Sequence, residues 1–544
     1  MTNHCFHFNY DRLPDTLKFR MHNSALSVFC MIVALAAGCG KGDEQAKEKA
    51  EPAPSGKPHA PAEAAQNPKP KGDSEGNQTT ELTADERFLL SLRPLHEGKP
   101  STLKIELEKI RAKGEPVTPK ELDAWYKTVP AEKNAALAFG KFTNNVPRNI
   151  WLPVHKLGRK RVNPALLMAP DSRSKIQAYL VAHQANVNLL FTIAQRYPAN
   201  QTARFPIDCT RGHSTLLPHL TPINTATKLL EWHSRYFATQ QRPAVAQGQN
   251  PLSMGDQQQA VWAILVLLRI CHLLDDEPFV FSTLVEVACA RRARDALETL
   301  LNMRRLNDAQ LVSLQQAFAG FNWPRNFANA WVGERASILG SEEIARTGTK
   351  KQLQWIDPSH RIIEEPIWLL LRSRPKAARD LEMTTYIGMM NRFLEGIRAG
   401  YPDFSTYDDE NGEFRSIWAK HQKLTMTIQH VGKYPFTPMM MKSGEYSPNK
   451  VHLAVLNQQL TTTALAIERY RLANQGRIPR NLPELVPKFL TSQPFDPYDG
   501  KPLRYRPTPN GSYELRSIKA DEQGQKDAVA NDYTFRINPT TRLK

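Results

Sequence analysis

Between residues 81 and 450 apolar side chains recur at intervals of three and four, in runs far longer than strands, and this spacing commits most of the chain to helices. The spacing predicts helices at roughly 172–196, 222–240, 256–274, 279–303, 307–319 and 323–346. Local signals bound them. Thr83 with Glu86, and Thr118 with Glu121, read as capping boxes, the second with Pro119 at the first helical position. There the Thr118 hydroxyl is expected to accept from the third amide while Glu121 reaches back. Gly255-Asp256 opens one run, Asp276-Glu277-Pro278 separates two, and Asn307-Asp308 starts another. The runs 256–274 and 279–303 form an expected antiparallel hairpin. No repeat of fixed period is present, so the body, 81–450, is expected to be an irregular helical bundle or a short α-solenoid.

Residues 451–544 change pattern. Leu453, Leu456, Leu460, Ala464, Ile467 and Tyr470 fall on one helical stripe that ends near Asn474-Gln475-Gly476. Asn481 opens a short helix, and Asp496 to Gly500 is turn chemistry. Three strand-like runs follow, Leu503–Arg506, Ser512–Ile518 and Tyr533–Ile537, with Pro509-Asn510-Gly511 as the hairpin between the first two. The expected fold is mainly α, closed by a small α+β module: a long helix on a three-stranded antiparallel sheet.

This order resembles the C-terminal domain of the type II secretion major pseudopilin. The matching stretches are Ile467 to Leu472, Asn474 to Pro479, Leu485 to Leu490, Asp496 to Tyr505 and Tyr513 to Ile518, followed by a polar loop. They span about 85 of the 544 residues. In that family the last loop is glycine-rich and binds calcium, so the resemblance implies a calcium site here, with Asp521, Asp527 and Asp532 as hard oxygen ligands. Most of those glycines are gone here, and Lys519 and Lys526 intrude. A processed pilin leader is absent and some 370 residues intervene, so the chain is not read as a pilus subunit. The whole pattern is similar to helical bacterial envelope proteins that carry such a tail and have no assigned reaction.

At the N-terminus, Lys18 and Arg20 precede the apolar stretch from Ala25 to Gly38, then Cys39. Such a stretch is too short to span a bilayer and suits a signal-peptide core. Leu35-Ala36-Ala37-Gly38-Cys39 resembles the lipobox of bacterial lipoproteins, although Ala36 stands where that family prefers Leu. The resemblance implies a signal peptide over 1–38 and lipidation of Cys39. Residues 39–80, rich in Gly, Pro, Ala, Lys and Glu, bury too little to order themselves and read as a lipid-anchored linker. Its expected span is about 35 Å. The implied location is the cell envelope, with the membrane engaged through the lipid anchor. Gly40 after the cysteine, by the same resemblance, favours the outer membrane or the periplasmic face.

The chain carries a net charge of +17. Residues 1–38 hold Arg12, Lys18 and Arg20 against Asp11 and Asp15, so the remainder is still at +16. A basic balance suits anionic headgroups or acidic polymers. The densest cationic stretch, Lys156, Arg159, Lys160 and Arg161, has no interleaved aromatics, so nucleic acid is not expected as a partner. Of six cysteines, Cys5 and Cys30 fall in the leader and Cys39 is the lipidation site. Cys209, Cys271 and Cys289 are odd in number and lack Cys-x-x-Cys spacing, which argues against a disulfide framework or zinc knuckle. Cys271 and Cys289 lie in apolar helical surroundings and are expected to pack as small hydrophobes.

No catalytic constellation stands out. The loop 204–219 gathers Asp208, Cys209, Arg211, His213 and His219, with His233 beyond, but offers neither His-Glu-x-x-His nor tight ligand spacing. The acidic groups Asp275, Asp276, Glu277 and Glu364, Glu365 precede prolines and helices, where the helix dipole accounts for them. Ser172 with Lys175 and the segment from Lys442 to Asn449 echo penicillin-binding motifs in the wrong order, and Met439-Met440-Met441 reads as packing. The expectation is therefore a non-enzymatic scaffold or assembly factor that binds an envelope protein. The alternative is an envelope enzyme acting on a polymer or peptide, with Asp208, Arg211 and His213 at its site.

Overall fold

The computed structural model describes residues 102–145, 168–197, 203–240, 256–347, 376–399, 447–522 and 533–542. Their helices, in order, are α1 (Thr102–Ala112), α2 (Pro119–Trp125), α3 (Ala135–Asn145), α4 (Pro170–Ala182) and α5 (Gln184–Arg196). Next come α6 (Leu220–Ala238), α7 (Asp256–Cys271), α8 (Val280–Met303), α9 (Asp308–Ala319), α10 (Trp323–Thr347) and α11 (Lys376–Ala399). The C-terminal part contains α12 (Ser447–Ala473), β1 (Arg504–Pro507), β2 (Tyr513–Arg516), α13 (Ile518–Glu522) and β3 (Thr534–Ile537). The protein is mainly α with a small antiparallel sheet of order β1-β2-β3, as expected.

The local signals act where the sequence places them. Thr118 Oγ1 accepts from Glu121 N at 3.1 Å. The Glu121 carboxylate reaches back one residue further than a capping box requires, accepting from Val117 N at 2.9 Å and pairing with Arg111. At α9 the box is complete: Asn307 and Gln310 exchange side-chain and backbone bonds. The run expected at 172–196 is two helices, because the backbone leaves helical geometry at His183. Gly476 ends α12 at φ +89°, a left-handed conformation natural to glycine, with its N–H bonded to Arg471 O. The Thr83–Glu86 box and Glu364, Glu365 lie outside the described residues.

Helix α7 is apolar nearly all round, and the reason is its position. It packs against α5, α6, α8 and α9, and Ala260, Ile264, Leu267, Leu268 and Cys271 are fully buried. By length and composition the stretch Asp256–Leu274 would cross a membrane, but 61% of it is buried inside the protein, as a core helix is. Around this centre α10 packs on α8, α2 and α11, and α11 packs on α1. Arg335 of α10 is buried, donating to Glu115 at 2.6 Å and to Asn391 Oδ1 at 2.7 Å. Burial alone would raise the Glu115 carboxyl; Arg335 and then Arg398 outweigh it and hold it below the usual range.

The C-terminal module shares the core. One apolar cluster runs from Leu122 and Phe139 through Leu267 and Leu300 to Leu465, Leu515 and Phe535. Helix α12 lies along α9, where Gln458 Nε2 donates to Phe318 O at 3.0 Å and Phe321 O at 2.9 Å. Helix α8 takes over the free edge of β3. Arg536 N donates to Glu298 at 2.8 Å, Asn302 Nδ2 to Arg536 O at 3.0 Å, and Asn538 N to Asn302 Oδ1 at 2.7 Å. Side chains of α8 thus satisfy the edge groups that another strand would otherwise seek. Buried Arg294 adds a bond to Thr534 O.

Within the module, Asp496 is the organising group. Its carboxylate is buried and accepts from Tyr498 N, Ser517 Oγ, Ile518 N and Arg504 Nη1 at 3.1, 3.0, 2.7 and 2.6 Å. It ties the turn after 495 to β1 and to the start of α13.

A candidate binding groove

The loop that the sequence singles out is pinned in place. The Arg204 guanidinium lies 4.3 Å over the Tyr126 ring, donates to Tyr126 O, and pairs with Asp123 at 3.2 Å. Asn134 exchanges bonds with both Arg204 N and Arg204 O. Asp208 caps the turn Cys209–Ser214 by accepting from Thr210 N at 3.1 Å. Gly212 has φ +56° and sits against Pro119 and Ser337 O, so a side chain there would be both strained and crowded. His213 Nδ1 lies 3.7 Å from Glu334 Oε1; burial raises the Glu334 carboxyl, with His213 opposing. Arg211 follows on the same turn. Asp208 is thereby engaged with its own turn while His213 faces α10. Burial, then Asp123, pushes the Cys209 thiol up to about 12, so it is no thiolate at neutral pH.

The acidic trio before α8 has a larger role than a helix dipole demands. Glu277 is buried and accepts from Ser282 Oγ, with His219 Nε2 at 2.9 Å from its carboxylate. The His219 ring stacks on Phe205 at 3.9 Å. A carboxylate shared between a serine and a histidine is not a nucleophile triad, in which histidine must stand between the other two. Asn326 Nδ2 donates to Asp275 Oδ1 at 3.2 Å and to Glu286 Oε1 at 2.9 Å. Burial, then the Asp275 carboxylate, holds Glu286 well above the usual carboxylate range, so it stays a neutral acid. Asp276 pairs with Arg325. These groups lock the α7–α8 connection to α6 and α10.

Cys271 and Cys289 are buried, as expected, but are not merely apolar filler. Cys289 Sγ lies 3.2 Å from Thr227 Oγ1 and 3.5 Å from Arg292 Nη1. Burial would raise its thiol; the hydrogen bond from Cys271 and then Arg292 bring it down to about 7. His233 is buried in α6 between Phe191 and Phe237, and burial lowers its ring to about 4. No group of three or more metal-ligating side chains forms among the described residues. Asp521 lies in α13, whereas Asp527, Asp532 and Cys39 lie outside the described residues, as do Lys156, Arg159, Lys160 and Arg161.

A sizeable concavity lies elsewhere, where α8 meets the sheet. It is an open groove of about 540 Å³, lined by Glu298 and Asn302 of α8, by Thr508, Ser512 and Asn538 at the strand ends, and by Arg506, Glu514 and Arg536. The register explains the charged wall. Arg504 pairs with Arg516 and Arg516 with Thr534; Arg506 pairs with Glu514 and Glu514 with Arg536. Side chains alternate across a strand, so these six residues share one face, while Tyr505, Tyr513, Leu515, Phe535 and Ile537 share the other and enter the core. The signal in the sequence is a polar residue at every second place of the strand runs, arginine at four of the six.

No protein family, curated protein or solved structure matches the chain. What it does must therefore be argued from its own surface.

Proposed function

We propose that this chain is a membrane-tethered envelope lipoprotein, acylated on Cys39, that serves as a non-enzymatic scaffold or assembly factor for another envelope protein. The observation that carries the binding role is the open groove at the junction of α8 and the sheet. It is lined by donors and acceptors from two parts of the chain whose mutual position is held by a shared core. That is a surface shaped for recognition, and a volume of this order admits a segment of another protein. The tether reading rests on the lipobox resemblance and on the composition of residues 39–80.

The test is crosslinking in intact cells, followed by affinity isolation of the tagged full-length protein. A stoichiometric protein partner supports the scaffold; repeated recovery of the protein alone overturns it. For the anchor, Cys39→Ser should abolish incorporation of a clickable fatty acid and release the protein from the membrane fraction. Unchanged labelling in that variant refutes acylation at Cys39.

A further inference from the structure

The cysteines among the described residues are free thiols, and the fold treats them differently. Cys209 is set apart in its loop beside Asp123. Cys271 ends α7 and Cys289 lies in α8; the two helices pack against each other, and both side chains are fully buried. Their thiols are hydrogen-bonded to one another. The odd count that argues against a disulfide framework thus resolves into one neighbouring pair and one remote thiol.

Two small hydrophobes would need nothing more, but the Cys289 sulfur is held by polar groups. Thr227 Oγ1 of α6 lies 3.2 Å from it, and Arg292 Nη1 donates to it at 3.5 Å. Arg292 stands one turn further along α8, so it is beside Cys289 as soon as that helix forms, whereas Thr227 arrives with α6. A guanidinium at that distance favours the thiolate, the form that attacks a disulfide.

We propose that Cys271 and Cys289 become a disulfide that staples α7 to α8 once the chain reaches an oxidising compartment. The compartment rests on the envelope reading; the choice of pair rests on the α7–α8 hairpin. The oxidant is a protein disulfide of the kind that oxidising compartments supply. The Cys289 thiolate attacks one sulfur of it, which gives a mixed disulfide and releases the first thiolate. Cys271 loses its proton to that thiolate and attacks Cys289 Sγ, expelling the second. One S–S bond forms in the chain as one breaks in the oxidant, which takes up two electrons and two protons and leaves as a dithiol. Both sulfurs are buried in the folded protein, so the exchange precedes the packing of α6 over them. The bond fixes the helix whose Glu298 and Asn302 close the β3 edge.

The experiment isolates the full-length protein from fractionated cells with iodoacetamide present throughout, then denatures and digests it without reductant. Trypsin leaves both cysteines in one peptide, Ile270–Arg291, because no Lys or Arg lies between them, and cleavage after Glu286 then separates them. The expected peptide is two hydrogens lighter than its dithiol and carries no alkyl group, and its halves stay joined until reductant is added. Reductant should also lower the melting temperature of the wild type by about 4 °C. That response should vanish in Cys271→Ala and in Cys289→Ala, whatever their own stability. A bond from either cysteine to Cys209 overturns the pairing. Alkylated thiols at both positions, in protein that fractionates with the envelope, overturn the bond. In protein that fractionates with the cytoplasm they overturn the export reading instead, and refolding in mixed oxidised and reduced glutathione decides the pair. A bond formed there upholds it, and two free thiols overturn it.

Discussion

Gly333→Ala should destabilise the protein although alanine is the better helix former. Gly333 lies in the interior of α10, where it meets the segment that leads into α8. A Cβ built there falls 2.0 Å from Pro278 O and 2.8 Å from both Pro278 C and Cβ. Non-bonded carbon atoms settle at about 3.5–4 Å, so α10 and the Pro278 backbone must part by about 1 Å. Backbone cannot turn aside as a side chain can, which puts the cost near the top of the overpacking range, about 3 kcal/mol. Removing a mid-helix glycine returns about 1 kcal/mol. The net expectation is a loss of about 2 kcal/mol. Gly140 in α3 is the control, because nothing lies within 4 Å of its added Cβ; Gly140→Ala should gain about 0.5–1 kcal/mol. Urea titrations followed by helical circular dichroism would measure both. Equal effects at the two positions would refute the close approach of α10 to Pro278, and with it the packing that holds Glu277 in place.

Asp496→Asn should cost about 2–3 kcal/mol, since one amide cannot accept from four donors and Arg504 loses one of its two carboxylate partners; proteolysis should then start within 477–542. His233 binds a proton less readily folded than unfolded, so its contribution is intact above about pH 6.5 and is lost as pH falls toward 4, on the order of 3 kcal/mol in full. His233→Phe should flatten stability over that window. Glu286 has the opposite sign: its raised folded value gives stability that is full below about pH 4.5 and lost as pH rises. Glu286→Gln should therefore gain stability at pH 8 relative to wild type and change little at pH 4; a uniform change at both would refute a neutral Glu286.

Helix starts were legible because their signals are local: Thr118 and Asn307 cap through atoms three residues away. The break at His183 was not, for Ala182-His183-Gln184 has neither glycine nor proline and the apolar rhythm continues through it. The sheet was legible from alternation and from Gly511, at φ +78° in its hairpin. The fate of charged residues was hidden. Whether Arg294, Arg335 or Glu286 is solvated or buried depends on Thr534, Glu115 and Asn326, which lie 40 to 240 residues away. In the loop 204–219, polar in the way that functional loops are, Arg204 holds α2, Asp208 caps its own turn, and His213 and His219 meet Glu334 and Glu277. The groove was missed because each wall is ordinary alone and becomes a site only when α8 meets β3.

That meeting also explains how a module outlined by its own sequence pattern is positioned so firmly. A three-stranded sheet has two edges, and this one treats them differently. The β3 edge is closed by Glu298 and Asn302, which imitate a fourth strand with side-chain atoms. No strand among the described residues pairs with the β1 edge, which ends in Pro507, a residue that cannot donate to a ladder, and carries Arg504 and Arg506. Strand addition from another chain is discouraged at both. The surface that the sheet leaves for contact is thereby its outer face rather than its edges.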